Sequence, residues 1–184
     1  MKFEFEAFPV LETSRLHLRS LEKKNAEQVL FLRSDEEVTR YIERKRPSRL
    51  DEALEFIDKI QAEYKKKESV SWAIHLKDEP LMIGSICLWN FSADRKTAEV
   101  GYDLHPLQQN KGIMNEALRA VLDFGFQELQ VHSVKAYTHR ANENSKKLLF
   151  KNGFRINSGE TDPDNENNII LSIDKKSYAS PEGI

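Results

Sequence analysis

Residues 109–116 have the sequence Gln-Asn-Lys-Gly-Ile-Met-Asn-Glu, and they separate a strand-like run that ends at Pro106 from a periodic apolar stretch that continues to about Leu129. The first turn of a helix leaves about four backbone N–H groups without partners inside the helix, and the helix dipole places positive charge there. Gly112 permits a positive φ and a close approach, and Lys111 adds a formal charge. A strand, a turn and a helix start in this order predict a site for an anion such as a phosphate. The alternative is a plain helix start after the proline turn.

The segments on either side of this loop predict a strand, a crossover helix and a second strand. The strands are Thr97–Leu104 and Ser133–Thr138. The helix between them carries a continuous apolar stripe at positions i, i+3, i+4, i+7 and i+8, made of Met114, Ala117, Leu118, Val121, Leu122, Gly125 and Phe126. Two strands joined by a crossover helix run parallel. A ligand is therefore expected at the carboxyl edge of this parallel pair.

The remaining pattern predicts antiparallel strands joined by tight turns, with helices between some of them. The fold class is therefore α+β, with a mixed, mostly antiparallel sheet. The further predicted strands are 15–19, a hairpin of 70–76 and 82–89, and a final antiparallel pair of 154–157 and 168–174. The further predicted helices are 25–33, 36–42, one N-capped by Ser48 that ends near Lys65-Lys66-Lys67, and 144–152, which Gly153 closes.

Length and charge limit the organisation and the partners. A chain of 184 residues is suited to one core, so we predict a single domain over residues 1–176 and a frayed tail over 177–184. The 30 acidic residues nearly cancel the 28 basic ones, giving a net charge of −2. This balance argues against a broad basic face, and nucleic acid is not an expected partner.

Other features address location, redox state and metal binding. Cys87 is the only cysteine and lies in an apolar run, which excludes an intrachain disulfide and predicts a small buried filler. The start Met1–Glu6 lacks the apolar core of a signal peptide, and no run approaches the ~18 apolar residues of a membrane span, so we expect a cytoplasmic protein without a membrane partner. The five histidines lack the spacing of a metal site, and no metal is expected.

Four separated pieces of the chain together resemble the GNAT acetyltransferase superfamily. They are Ala98-Glu99-Val100-Gly101-Tyr102-Asp103-Leu104, the Gly112 turn, Val134-Lys135-Ala136-Tyr137-Thr138, and Asn142-x-x-Ser145-x-x-Leu148-x-x-Lys151-x-Gly153-Phe154. The similarity is closest to the group that acetylates the N-termini of ribosomal proteins, the RimJ/RimL type. It implies a twisted sheet whose central parallel pair is splayed around acetyl-CoA and flanked by helices.

The resemblance also implies a set of cofactor-binding residues. The family pattern is Gln or Arg, two variable residues, Gly, one variable residue, then Gly or Ala. The matching residues here are Gln109, Asn110, Lys111, Gly112, Ile113 and Met114. Met114 departs from the small residue at the last position, which matters little for a backbone N–H contact. In the family, the backbone amides of this segment hold the pyrophosphate, and the pantetheine arm runs along the strand that ends at Leu104.

Two catalytic residues follow from the same resemblance. Glu99 occupies a position where related enzymes often carry a carboxylate close to the incoming amine, and it is the candidate base; the alternative is a surface carboxylate. Many family members place a thiolate-protonating tyrosine where this chain has Leu149. The ribosomal-protein group carries a serine instead, which makes Ser145 the candidate proton donor and cofactor contact. Asn142 is the candidate for a pantetheine hydrogen bond, and a helix cap is its alternative role.

The implied activity is direct acetyl transfer from acetyl-CoA to a primary amine, in particular a protein N-terminal α-amine of the ribosomal-protein type. A small amine, such as a polyamine, an aminoglycoside or a metabolite, is the first alternative acceptor. A non-catalytic acyl-CoA-binding module is the second alternative. Trp89, Phe91 and Tyr102 are candidates to line the acceptor pocket, with core packing as the other explanation. Asn25–Tyr64 is expected to shape that pocket but carries no motif, and monomer and homodimer both stay open.

Overall fold

The structure is a computed structural model that describes residue 5 and residues 7–178. Its centre is an open mixed sheet of eight strands in the order β1-β2-β3-β4-β5-β6-β8-β7. The parallel contact between β5 and β6 stands among antiparallel pairs. The strands are β1 Leu11–Glu12, β2 Leu16–Ser20, β3 Val70–Leu76, β4 Met82–Trp89, β5 Thr97–Leu104, β6 Ser133–His139, β7 Arg155–Ile156 and β8 Asn168–Asp174.

Helices cover both faces of this sheet. They are α1 Ala26–Ser34, α2 Leu50–Lys65, α3 Ile113–Asp123 and α4 Glu143–Lys151. The apolar stripe of α3 packs with Ile86 and Leu88 of β4 and with Val100 of β5 in the larger core cluster. A second cluster on the other face joins α1 and α2 to Ala73 of β3. The sheet is thus enclosed between α3 with α4 on one side and α1 with α2 on the other.

The fold class, the β3–β4 hairpin and the parallel pair are confirmed. The helix predicted over 36–42 is wrong, because this segment forms turns. The carboxylate of Asp35 accepts from the N–H groups of Glu37 and Val38, both at 3.0 Å. An aspartate that binds the N–H groups two and three residues ahead replaces the helical pattern by a turn.

Two helix ends also differ from the prediction. Ser48 is not the N-cap, since α2 begins at Leu50 after Arg49. The Glu52 carboxylate instead accepts from the N–H groups of Ser48 at 2.8 Å and Arg49 at 3.1 Å. The crossover helix is α-helical only to Asp123 and continues as a π-helical turn over Phe124–Glu128.

The ends of the chain are described in part. Residues 1–4 and 6, on which the signal-peptide argument depends, and residues 179–184 of the predicted tail lie outside the described residues. Tyr178 packs its ring on Phe126 at 5.0 Å, and its hydroxyl donates to Asp123 at 2.9 Å. Within the described part of the chain, no helix has the length and apolar character needed to cross a bilayer, and no His, Cys, Asp and Glu side chains group as a metal site.

Candidate active site

The parallel pair opens a gap in the middle of the sheet. β5 and β6 share three residue pairs, which end at Glu99 and Lys135. Beyond them, β5 continues to Leu104 on its other neighbour β4, and β6 continues to His139 on β8. The two strands therefore diverge toward their carboxyl ends, as the splayed pair of the family resemblance requires.

A cavity of about 370 Å³ lies at the loop end of this gap. We call it the loop cavity. Seven of the predicted cofactor-binding residues line it, namely Leu104, Gln109, Asn110, Gly112, Ile113, Met114 and Asn142. The structure thus brings together most of the predicted set, although the binding role of each residue stays a prediction.

The backbone of this loop offers donors to an anion. Gly112 has φ 75° and precedes α3, whose first turn is closed by the bond from the Glu116 N–H to the Gly112 carbonyl at 3.1 Å. Within the described part of the chain, the N–H groups of residues 110–115 donate no hydrogen bond to the protein. Free N–H groups at a helix N-terminus fit the diphosphate of coenzyme A.

A network of side chains anchors the first turn of α3 to the β1–β2 turn. The Glu116 carboxylate accepts from Thr13 Oγ1 at 2.5 Å, Arg15 Nε at 2.7 Å and Ser14 Oγ at 3.0 Å. Burial works against ionisation of Glu116, but these hydrogen bonds outweigh it and lower its pKa to about 2. Arg15 Nη1 also donates to the Lys111 carbonyl at 3.0 Å, so the network supports the loop from outside.

Two side chains of the motif point elsewhere. Lys111 does not line the loop cavity, and its ammonium donates to Gln108 Oε1 at 3.1 Å. Gln109 Nε2 donates to the Leu104 carbonyl at 3.2 Å, which ties the loop to the end of β5. The free hydrogen-bond donors of this motif are therefore mainly backbone N–H groups.

A larger cavity of about 720 Å³ lies on the α1 and α2 face of the sheet. We call it the sheet cavity. Its floor includes Ser85, Cys87, Gly101 and Asp103, and its roof includes Arg33, Tyr41, Arg44 and Phe56. The Tyr41 ring stacks on His139 of β6 at 5.3 Å, which closes one end of the roof. The predicted contribution of Asn25–Tyr64 to a pocket thus comes from α1, α2 and the segment 35–49 between them.

Two of the residues that were predicted to line the acceptor pocket differ from each other. Trp89 lines the sheet cavity and is 47% exposed, whereas Phe91 does not line it. Cys87 also lines the cavity and is only partly buried, so the prediction of a buried filler is wrong. Burial nevertheless raises the pKa of its thiol to about 12, which makes it a poor nucleophile.

The two cavities meet at Tyr102 and Asn142, which line both. The hydroxyls of Tyr102 and Ser145 are hydrogen bonded at 2.8 Å, and Ser145 lines the sheet cavity. Burial raises the pKa of Tyr102 to about 12, although the bond to Ser145 opposes the rise. Asn142 Oδ1 accepts from the Ser145 N–H at 3.1 Å, so the capping role is present while the side chain borders the gap.

Sequence reasoning missed the hydroxyl pair. It treated Tyr102 only as a pocket-lining candidate, because Tyr102 and Ser145 are 43 positions apart. The available signal was the place of Tyr102, two residues before the end of the strand that borders the gap. Leu149, which stands at the family's tyrosine position, is fully buried in the core.

Glu99 lies beside the sheet cavity and does not line either cavity. Its carboxylate accepts from Asn90 Nδ2 at 2.6 Å, and its neighbour Val100 lines the sheet cavity. Burial raises the pKa of Glu99, while the bond from Asn90 and the charge of Lys135 oppose the rise. Its role as a base stays a prediction.

Comparison with known proteins gives a consistent family. Residues 15–155 match the model of the acetyltransferase (GNAT) domain. The chain is 32% identical over 148 residues to YoaA, an uncharacterized N-acetyltransferase of Bacillus subtilis, and the match covers 80% of this chain and 84% of that protein.

Solved structures share the fold. RimL, the ribosomal L7/L12 alpha-N-protein acetyltransferase in complex with coenzyme A, superposes with a TM-score of 0.79 and 14% identity over 90% of this chain and 98% of that one. The ribosomal-protein-S5-alanine acetyltransferase of Vibrio fischeri superposes with a TM-score of 0.78 and 21% identity over 93% and 99%.

Proposed function

The chain belongs to the GNAT family and is an acetyl-CoA-dependent N-acetyltransferase, and we propose that its acceptor is a protein N-terminal α-amine. The observation that carries this proposal is the junction at Tyr102 and Asn142, where the loop cavity opens into the larger sheet cavity. A cavity of about 720 Å³ has room for the first residues of a peptide. The shared fold of RimL and the ribosomal-protein-S5-alanine acetyltransferase supports the same acceptor class, and a ribosomal protein would be met in the cytoplasm.

Acetyl-CoA, when bound, supplies an activated acetyl thioester. In this proposal the free N–H groups of residues 110–115 hold its diphosphate, and the gap between β5 and β6 takes the pantetheine arm. Asn142, at the edge of both cavities, hydrogen bonds that arm. Strand N–H groups that border the gap bind such an arm in the manner of an added strand.

The acceptor amine needs to lose a proton before attack. An α-amine has a pKa near 7.7–8.0, against about 10.4 for lysine, so a modest base suffices. We assign this role to Glu99, acting directly or through a water. Because burial raises its pKa, its carboxylate is a stronger base than an exposed one. Only the ionised form accepts a proton, so activity should fall as the pH drops through this raised pKa.

The departing thiolate needs a proton in return. Ser145 is the proposed donor, and the Tyr102 hydroxyl 2.8 Å away replaces the proton that Ser145 gives up. Tyr102 then regains a proton from solvent when the products leave the open cavity. The raised pKa of Tyr102 keeps its hydroxyl protonated at neutral pH. The pair thus does the work that a single tyrosine performs at the position of Leu149 in other family members.

A small amine is the second candidate acceptor. The charged side chains that line the sheet cavity are of both signs, namely Glu43, Glu63, Asp103, Asp162 and Asp164 with Arg33, Arg44 and Lys59. A polycation such as a polyamine or an aminoglycoside favours a uniformly acidic cavity, and this mixed lining does not offer one. The charge distribution therefore supports a peptide end over a polycation.

A turnover assay with a panel of amines tests the proposal. Release of coenzyme A, followed with a thiol-reactive dye, should be fastest with peptides that carry a free alanine or serine N-terminus. Glu99→Gln and Ser145→Ala should each lower kcat by roughly 10- to 1000-fold, the scale of single acid–base contributions. The exposed Glu79→Gln and Ser158→Ala variants serve as matched controls. Faster turnover of polyamines than of any peptide would refute the acceptor assignment.

A further inference from the structure

Two arginines line the roof of the sheet cavity. Arg33 lies near the end of α1, and Arg44 lies in the segment 35–49. The guanidinium of Arg33 covers the Phe56 ring at 3.7 Å from the ring centroid. Arg44 Nε and Nη2 are both buried, and neither has a hydrogen-bond partner among the residues that the structure describes. Buried donors without partners are costly and call for an explanation.

The orphaned atoms of Arg44 form one functional edge. Nε and Nη2 lie along the same edge of the planar guanidinium, and their N–H groups point outward in parallel. This edge is the one that binds the two oxygens of a carboxylate at once. An edge that is buried and unused, in the wall of a cavity, is suited to an anionic ligand.

Two arginines meet one buried carboxylate, Asp103, at this point of the cavity, which Glu43, Glu63, Asp162 and Asp164 also line. Asp103 on the floor is the carboxylate that acts on both arginines, and it already accepts from Ser85 N at 3.0 Å and Ser85 Oγ at 2.8 Å. Burial and the neighbouring charge of Arg44 lower the pKa of Arg33 to about 10, so it stays charged at neutral pH. Burial also raises the pKa of Asp103, whereas its hydrogen bonds from Ser85 and the charges of both arginines oppose the rise.

We propose that Arg33 and Arg44 bind a carboxylate of the acceptor, so that the preferred substrate is a peptide with Asp or Glu within its first few residues. This inference rests on the proposed acetyl transfer to an N-terminus. Asp103 follows Tyr102 on β5, so the arginines lie close to the junction of the two cavities. An extended peptide advances ~3.3 Å per residue, which brings a side chain at the second or third position to them.

The test compares acceptor peptides that differ only in the charge of the side chains at the second and third positions. The probes are C-terminally amidated peptides with an N-terminal alanine, followed by two glutamates, two glutamines or two lysines. Dialanine as the free acid and as the amide shows whether a main-chain carboxylate serves equally well. We expect kcat/KM for the glutamate peptide to exceed that for the glutamine peptide at least tenfold, with the lysine peptide slowest.

Two variants test whether the preference for the glutamate peptide depends on these arginines. In Arg44→Gln the glutamate-to-glutamine ratio should fall to within about twofold. Arg33→Gln should lower it as well and serves as a second variant if Arg44→Gln does not fold. Arg46→Gln is the matched control, because Arg46 is exposed, pairs with Glu36 at 3.2 Å and does not line the sheet cavity. This variant should keep the wild-type ratio.

Equilibrium binding of the glutamate peptide to the coenzyme A complex separates this inference from the proposed function. Turnover of both peptides at equal kcat/KM, or a ratio that survives in both arginine variants, overturns the carboxylate subsite and leaves N-terminal acetylation standing. A preference for the free acid of dialanine over every glutamate peptide overturns the acidic side chain as the source. Tight binding that Arg44→Gln abolishes, without turnover of any peptide, supports the subsite and refutes the proposed function. If no peptide is turned over and none is bound, both the carboxylate subsite and the proposed function are refuted.

Discussion

The loop cavity and the sheet cavity share five lining residues, namely Val38, Tyr41, Tyr102, Asp103 and Asn142, but draw the rest of their lining from different elements. The loop cavity takes six of its sixteen lining residues from the short segment 109–115, and the N–H groups of residues 110–115 donate no hydrogen bond within the described part of the chain. Four more lining residues come from the segment 37–41. The sheet cavity collects side chains from α1, α2, the segment 35–49 and strands β3 to β6. In the proposed function, the first would bind the cofactor common to the whole family, whereas the second would set the acceptor through side chains that single substitutions can change.

The largest effects are expected at the junction of the two cavities. Ser145→Ala should lower kcat about 100-fold and Tyr102→Phe about tenfold, because both hydroxyls act in one proton transfer. The double variant should lose little more than Ser145→Ala alone, since residues that act as a unit are not additive. Stopped-flow measurement of coenzyme A release gives the three rates. Fully multiplicative losses would show that the two hydroxyls act separately.

The next largest effect should distinguish Gly112, which lines the loop cavity, from Gly153, which also has a positive φ. Gly112→Ala and Gly153→Ala each place a Cβ at a positive φ, 75° and 86°, so both should destabilise the fold by about 1–2 kcal/mol. Gly112→Ala should also weaken coenzyme A binding about tenfold, because it displaces the free N–H groups. Gly153→Ala should not change that affinity. Thermal melting and calorimetric titration measure both quantities, and equal affinities in the two variants would contradict the backbone site.

The hydrogen bonds of Glu116 behind the loop should make the stability of the protein depend on pH. The pKa of Glu116 lies at about 2 in the folded protein against an ordinary value of 4.5. Its stabilising contribution is therefore complete above pH 4.5 and is lost as the pH falls toward 2. Glu116→Gln should cost about 1 kcal/mol at pH 7 and should flatten this part of the stability curve. Urea melts from pH 2 to 7 test it, with Glu128→Gln as the control; an unchanged acid limb would refute the assignment.

The smallest expected effect is a gain in stability, and it concerns Arg44 of the sheet cavity. Arg44→Met removes two buried donors without partners, so it should stabilise the unliganded protein by up to about 1 kcal/mol. Arg46→Met removes only an exposed ion pair and should change stability little. Urea melts of both variants provide the comparison. A destabilised Arg44→Met protein would mean that the guanidinium already contributes to the fold.

The difference between the cavities also explains what the sequence could predict. The hairpin of β3 and β4, the strand β5 and the loop before α3 depend on local patterns, so their bounds were predictable. The two-residue strand β1 is too short for a pattern, and the turn after Asp35 depends on one side-chain carboxylate. Neither feature has a signal of the usual period.

The candidate site divides in the same way. The segment 109–114 forms a continuous motif, so its place in the loop cavity could be predicted. The Tyr102–Ser145 pair joins residues 43 positions apart, and the free edge of Arg44 depends on the path of the segment 35–49. Contacts of this kind arise only from tertiary packing, and a single sequence contains no local trace of them.

The short contact between β5 and β6 has a mechanical consequence. Three residue pairs are the whole seam between a block of strands β1 to β5 and a block of β6, β8 and β7. Apart from the two-residue edge strands β1 and β7, this is the shortest pairing in the sheet, and α3 packs on β1, β2 and β4 of the first block. A ligand arm that forms hydrogen bonds with both β5 and β6 would link the two blocks of strands. Occupancy of the gap would then set the stiffness of the whole sheet.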